Sequence, residues 1–559
     1  MKHIFLKSVA FVAMVAGLSS CSDELNLSSI DPQSEASVTD EMQFLAKCYA
    51  TLGTTGQTGP TGNGDLSLDE GESGFYRTTF NCEELASDEV LWAWQTDAGI
   101  PAFTAMSWDA STTRVKWCYT RLGYDITLYN QYLETATSDE YKPEVRFLRA
   151  LHYWYFLDLF GGGPFKTDAD LNQAPVYKGG AELYAWLDEE LTNLESELQP
   201  IGTFNNAEGF GRVDQGAAYL LHARLFLNAS VYTNGAVKAY DKALEKANVL
   251  INSGKYSLCT QEKNGYSGYE QLFMADNDEN TGAMNEIILP IRQDGDKTQC
   301  YSAANYLVSS MRIAGMPMMG TTNGWSCNFS RGALVEKFFP TITDCPISTE
   351  AAASDATEED IMKLDAADGS DTKSIQSKAG DKRALFYGGR GGGVRKLKTD
   401  KITNFLDGMS IVKWNNYRAD GGAVHGTEFP DVDIPLLRFA EAYMIQAECL
   451  YRQGSTDEAL AVLNSKIRTR AGASALTYLD DRTLCDEWCR EFYTEGRRRS
   501  DLRRFGYWTS NSYLWDWKGG VENGTTRSSK YELYPIPLTD LQNNANLQGH
   551  QNPGYDDVK

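Results

Sequence analysis

Between Val145 and Leu159 the side chains of Val145, Leu148, Leu151, His152, Tyr155, Phe156 and Leu159 recur at steps of three and four, and Gly161-Gly162-Gly163-Pro164 comes at once after them. Steps of that size put these side chains on one face of a helix, and glycines before a proline end it. The same plan returns twice. Asp214 to Ser230 and Ala236 to Asn252 predict a helical pair turned at Thr233-Asn234-Gly235 and stopped at Ser253-Gly254. Ile434 to Arg452 and Asp457 to Arg470 predict another, turned at Gln453-Gly454-Ser455. The fold expected is therefore mainly α, with helical hairpins running mainly over 110–255 and 434–559.

These hairpins are rich in alanine where helices approach closely, and they resemble tetratricopeptide units of about 34 residues. Plain antiparallel helical packing is the alternative. Between 255 and 430 the pattern changes to short apolar runs, glycines and polar inserts, which reads as irregular loops decorating a helical scaffold. Gly53 to Gly64 is a loop for the same reason, and Asp344 to Lys382 reads as a surface excursion. Gly388 to Val394 lacks the spacing of a dinucleotide fingerprint and reads as a flexible turn.

The N-terminus reads as a processing signal. Lys2 and Lys7 flank an apolar stretch, Val9 to Leu18, that closes on Leu18-Ser19-Ser20-Cys21. It falls short of the ~20 apolar residues of a stable membrane span. A small-residue pair before a cysteine resembles the bacterial lipobox, so Cys21 is the expected lipidation site, and Asp23-Glu24 resembles a surface-export signal. The organisation expected is a signal peptide over 1–20, an anchor and linker over 21–40, and one domain over 41–559.

Composition excludes several functions. Lys and Arg number 52 against 76 Asp and Glu, a net charge of −24 that repels phosphate backbones, so no nucleic acid is expected as a partner. Only five histidines are present, leaving little for imidazole chemistry. Aromatic side chains are abundant instead, with 12 Trp and 30 Tyr. A sugar ring has an apolar C–H face that stacks on such rings, while its hydroxyls need fixed donors and acceptors. Trp92 and Trp94 lie beside Asp88, Glu89 and Asp97, and Trp325 lies between Gly324 and Ser326. A lone tryptophan is equally at home in a core.

Four segments carry a family resemblance: RFLRALHYWYFLDLFGGGPF (146–165), DIPLLRFAEAYMIQAE (433–448), EFYTEGRRRSDLRRFG (491–506) and YPIPLTDLQNNANLQGHQNPGY (534–555). Together they resemble the SusD-like outer-membrane lipoproteins. Asp69 to Trp94 and Ile291 to Ser326 look like the starch-binding branch of that family. The resemblance implies a cell-surface binder of starch or malto-oligosaccharide that sits on a SusC-like TonB-dependent transporter, is held to the outer membrane by its lipid, and performs no catalysis. It assigns stacking roles to Trp94, Tyr301 and Trp325, with Arg77 and Asp69 as polar rim contacts and the ligand region over 60–105 and 255–430. Asp97 stands where that branch is expected to carry an amide, which puts that contact in doubt because a carboxylate only accepts. A glycoside hydrolase and a scaffold that binds protein or peptide are the competing readings.

No cofactor is required by this reading, and structural calcium is the one ion considered. Asp276-Asn277-Asp278-Glu279-Asn280 offers closely spaced oxygens, but Gly282 comes one position late and Ile287 stands where an EF-hand needs its glutamate. Asp431 and Asp433 are expected to complete a shared site with Asp276 and Asp278; solvated acidic loops are the alternative. Cys485 and Cys489, at i and i+4, read as buried small residues rather than metal ligands. The run Arg497-Arg498-Arg499 with Arg503 and Arg504 comes after Glu487, Glu491 and Glu495, and intrahelical ion pairs are expected to explain it.

Overall fold

The computed structural model describes residues 41–558, except 57–58, 61–63, 207, 313–315, 317, 342–343, 346–370, 391–392, 395–396, 400 and 404–406. The signal peptide, Cys21, the linker and much of the 344–382 excursion lie outside the described residues. The chain divides into a short unit ending at Lys47 and a large one, Cys48–Lys559, which holds the helical array and the candidate site.

Helices α1 (Glu41–Gly53) and α2 (Phe75–Glu84) come before a consecutive array: α3 (Thr113–Thr135), α4 (Lys142–Phe160), α5 (Gly180–Glu197), α6 (Gln215–Leu227) and α7 (Tyr240–Ser253). From α3 to α7 each helix packs on the next. The chain then leaves the array, forms α8 (Ala303–Met311), and rejoins it at α9 (Ala440–Arg452), which packs directly on α7 and leads into α10 (Thr456–Val462). The helical scaffold is thus continuous in space while its sequence is split by a long insertion. Two further helices, α11 (Asp481–Phe492) and α12 (Arg498–Arg504), come later in the chain.

Local chemistry sets the ends. Helix α4 is buried over nearly its whole circumference and stops at Gly161, whose φ of +71° closes the last turn with its N–H on the Leu157 carbonyl. The Asp214 carboxylate caps α6 through the Gly216 N–H. The second helix of that pair begins at Tyr240 and not at Ala236, and the Asp457–Arg470 segment breaks into a π turn over Leu463–Arg468.

One expected helix start is corrected. Ile434–Arg438 is a strand, paired antiparallel with Ile287–Ile291, and the helix begins at Ala440. All five strand residues are buried, and an apolar run buried on both faces shows neither the helical nor the strand period. The turn at Gly388–Val394 contains a hairpin, Gly389–Arg390 against Gly393–Val394. All ten cysteines beyond Cys21, Cys485 and Cys489 included, are buried, and none is disulfide-bonded.

The arginine cluster is structural: Arg497 and Arg504 pair across one helical turn with Asp501 at 3.1 and 2.8 Å, but the preceding glutamates are not the partners. Arg498 holds Asp88 at 2.7 and 2.9 Å, Arg499 holds Asp158 at 2.9 Å, and Arg504 holds Glu448 at 2.9 Å. The first N–H groups of the α12 region meet carboxylates from the end of α2: Arg497 N donates to Glu84 and Ser500 N to Glu83, both at 2.9 Å. Acidic side chains at a helix start satisfy donors that have no intrahelical partner. Glu487, Glu491 and Glu495 serve other cations, among them Arg383, Arg438, Arg468 and Arg470. Sequence-local pairing misses these bonds because the partners lie far apart along the chain.

Candidate functional site: an aromatic arc

The clamp between α2 and α12 positions the segment that runs on from α2 into the site. Asp88 and Glu89, held by Arg498 and by the Thr494 N–H, lead into the strand β1 (Val90–Trp92). This strand pairs antiparallel with Asn328–Ser330, Trp92 opposite Asn328, and the Ala93 N–H extends the ladder to the Cys327 carbonyl at 2.8 Å. The ladder therefore brings the Trp94 loop to the Trp325 loop. On the second loop, the N–H groups of Trp325, Ser326 and Cys327 take the carbonyls of Ser309, Arg312 and Ser310 at 2.7–3.0 Å. Those carbonyls are at the C-terminal end of α8, where helix acceptors lack partners.

Seven residues named from the sequence, Asp69, Arg77, Trp92, Trp94, Asp97, Tyr301 and Trp325, line one open cavity of about 560 Å³. Trp94 is 44% exposed and its indole N–H donates to the Trp325 carbonyl at 3.1 Å. The Trp325 and Tyr301 rings stand 6.2 Å apart at 59°, and Tyr301 is backed by Phe429 at 5.4 Å. Gly71 makes this approach feasible, since a Cβ there would stand 2.9 Å from the Tyr301 Cβ. Burial raises the Tyr301 hydroxyl above its ordinary pKa, assisted by Glu428, to which it is hydrogen-bonded, and by Glu70, so it stays a neutral donor.

The polar members divide into two kinds. Asp69 is exposed and free to meet a ligand hydroxyl by position. Arg77, by contrast, is only 6% exposed. It donates to the Gly71 and Tyr301 carbonyls at 2.7 and 3.3 Å and to Glu72 at 2.7 Å, and it lies over the Tyr306 ring at 4.6 Å and the Trp325 ring at 5.7 Å. Its guanidinium thus braces Tyr301 and Trp325 while itself lining the cavity. Trp92, expected in a loop, ends a strand and is buried; its N–H donates to Asp97 Oδ2 at 3.0 Å, with Arg77 and Arg114 over the ring at 5.8 and 5.4 Å. Sequence reasoning misses Glu72, which pairs with both Arg77 and Arg114, and it misses Tyr306 and Phe429. No local motif marks them, because each acts by supporting a residue held at the site by the fold.

A model described as the SusD family matches residues 375–555. Over 99% of this chain and all of that protein, the sequence is 50% identical to the starch-binding protein SusD of Bacteroides thetaiotaomicron. The chain belongs to the SusD family. Among solved structures, a SusD-like protein from Bacteroides fragilis matches with a TM-score of 0.63 and 18% identity, over 92% of this chain and 96% of that one. The surface glycan-binding protein A of Bacteroides uniformis matches with a TM-score of 0.63 and 18% identity, over 92% and 98%. These two likenesses establish the family fold, mainly helical with tetratricopeptide-like hairpins.

In this SusD-family chain the four acidic residues considered for calcium are distributed unevenly. Asp276 accepts from the Ala419 and Asp420 N–H groups at 2.8 and 3.2 Å. Asp278 and Asp433 both face Arg292, at 2.8 and 3.1 Å. Asp433 is buried, its Oδ2 paired with Arg292 and its Oδ1 accepting from the Gln293 N–H at 2.5 Å. Burial, with the charges of Asp278 and Asp431 against Arg292, pushes the Asp433 carboxyl up to about 8. Asp431 accepts from the Gly295 and His425 N–H groups and gathers with Asp294 and His425, their ligand atoms all within 4.8 Å of one another. The Asp433 Oδ2 faces the Arg292 Nε at 3.1 Å, so of the four residues only Asp431 stands in a group of ligand atoms of the kind a hard cation takes.

Proposed function

We propose that this protein captures starch-derived α-1,4-glucan at the cell surface and delivers it to a partner TonB-dependent outer-membrane transporter. The observation that carries the reading is the convergence of Trp94, Tyr301 and Trp325, from two loop regions far apart in sequence, on one open cavity with acidic and hydroxyl groups at its margin. The Tyr301 and Trp325 rings, inclined at 59° to each other with Trp94 on the same cavity, offer stacking faces in more than one plane, which suits a bent α-linked chain better than a flat β-linked one. The name of the 50% identical relative, a starch-binding protein, supports the same substrate. An uncharged glucan is not repelled by the net charge of −24.

The role of each residue comes from its placement. Trp94, Tyr301 and Trp325 stack on sugar faces, Asp69, Arg77 and the Tyr301 hydroxyl bond to rim hydroxyls, and Trp92 and Asp97 back the rings. The protein binds and does not cleave. Calcium, where bound, is held at the Asp431 end, where Asp294 and His425 bring their ligand atoms within 4.8 Å of one another; Asp278 and Asp433 pair with Arg292 instead, and Asp276 orders the neighbouring 419–420 backbone.

Cys21 anchors the chain through lipid at the outer leaflet, a reading supported by the lipobox pattern and by the lack, among the described residues, of any helix long and apolar enough to cross a membrane. Binding of the purified protein to a panel of α- and β-glucans tests the substrate. Loss from the membrane fraction in a Cys21→Ala variant tests the anchor.

A further inference from the structure

The arc does not end at Trp325. Arg312 comes directly after α8 and abuts the Trp325 turn: its carbonyl accepts the Ser326 N–H at 3.0 Å, and its Nη1 stands 2.5 Å from where a Gly324 Cβ would be. From there the guanidinium reaches away from the rings. Nη1 donates to the Asn323 carbonyl at 3.3 Å, and Nη2 to the Met318 sulfur at 3.0 Å. Met318 is 44% exposed.

Beyond it lies a second exposed ring. Tyr417 is 41% exposed, and its segment is fastened to the 319–320 turn by Asn416, whose N–H takes the Met319 carbonyl at 2.7 Å and whose side chain takes the Gly320 carbonyl at 3.1 Å. Gly320 is needed for that approach, since a Cβ there would lie 2.5 Å from the Asn416 backbone. Arg312 therefore joins the Trp325 turn to Met318, and the Asn416 bonds fasten the Tyr417 segment to the turn that comes directly after Met318.

We propose that Arg312, Met318 and Tyr417 form an outer subsite that takes additional glucosyl units of a chain already stacked on Trp325, so that the protein prefers long α-glucans to short ones. This rests on the glucan reading of the aromatic arc. A thioether is a weak acceptor, so a sugar hydroxyl that replaces Met318 on the guanidinium gains a charge-assisted hydrogen bond. The Tyr417 ring and the Met318 methyl then offer apolar surface to the next C–H face.

Titration of the purified protein with maltotriose and with maltoheptaose decides it. Wild type is expected to bind the longer sugar more tightly. Tyr417→Ala, Met318→Ala and Arg312→Gln are each expected to weaken maltoheptaose by about 3- to 10-fold while leaving maltotriose within about 2-fold, since only the longer chain reaches the outer subsite. Trp325→Ala is expected to weaken both. Variants that bind maltoheptaose as wild type does, or that lose both sugars equally, overturn the outer subsite while leaving the arc standing. A wild-type protein that binds neither sugar overturns the glucan reading, and the subsite with it. Should one substitution impair folding, as a lowered Tm reports, Met318→Ala carries the test because its side chain is exposed.

Discussion

The indole N–H of Trp94 donates to the backbone carbonyl of Trp325 at 3.1 Å, across 231 residues of sequence. One ring proposed to stack on sugar is thereby tied to the chain that carries another before a ligand arrives. Pre-set geometry lowers the ordering cost of binding. Trp94→Phe keeps an aromatic face but deletes the donor. It is expected to weaken maltoheptaose by about 1 kcal/mol, the net worth of one such bond, measured by calorimetry. Affinity equal to wild type would show that the ring needs no tether.

The site rests on Asp88, which lies just ahead of the strand leading to Trp94. Burial alone would raise its carboxyl, yet Arg498 and Lys337 hold it well below the usual carboxylate range. Asp88→Ala leaves both cations buried without their shared partner. A loss of about 3–5 kcal/mol in unfolding free energy is expected in a urea titration. A loss under about 1 kcal/mol would mean that the clamp is not what holds this region.

Glu83 makes stability fall with rising pH. Burial, then the charge of Asp158, push its carboxyl from an ordinary 4.5 up to about 8. A carboxyl with a raised folded pKa favours the folded state fully below its unfolded pKa, and that contribution is lost as pH rises through the folded value. The Tm is therefore expected to decline between about pH 5 and about pH 8, and Glu83→Gln to flatten that decline. An unchanged slope in the variant would assign the decline to other groups.

Calcium is proposed at Asp431, with Asp294 and His425 beside it. Millimolar calcium added to chelator-treated protein is expected to raise the Tm by several degrees, and Asp431→Asn to abolish the rise. An unchanged Tm on addition would argue for acidic loops that simply face solvent.

Legibility in the sequence tracks the range of the interaction. Helix α4 and its stop at Gly161 are readable because both depend on neighbours within a few residues. The site rings Trp94, Tyr301 and Trp325 come from resemblance, since nothing local separates a platform tryptophan from a core one, and Trp92, two residues from Trp94, is indeed buried. The Ile434–Arg438 strand reads as helix because its burial erases periodicity. The supports of the site, Glu72 beneath Arg77 and Arg498 on Asp88, are not readable, for they depend on where the fold turns each side chain. Arg77 illustrates the limit: the sequence points to the residue as a cavity member, while its bonds to Glu72 and to the Gly71 and Tyr301 carbonyls follow only from the fold.

An open surface excludes little water, so binding is expected to be weak, about 10 μM to 1 mM. The most direct test is calorimetric titration of wild type and of the triple variant Trp94→Ala, Tyr301→Ala, Trp325→Ala with maltoheptaose and with a cyclic α-glucan, beside cellulose fragments of equal length. The account predicts binding of both α-glucans by wild type, loss of at least about tenfold in the triple variant with the Tm retained, and no preference for cellulose fragments. A triple variant that binds as wild type does, or a wild type that prefers the β-linked chain, would contradict it.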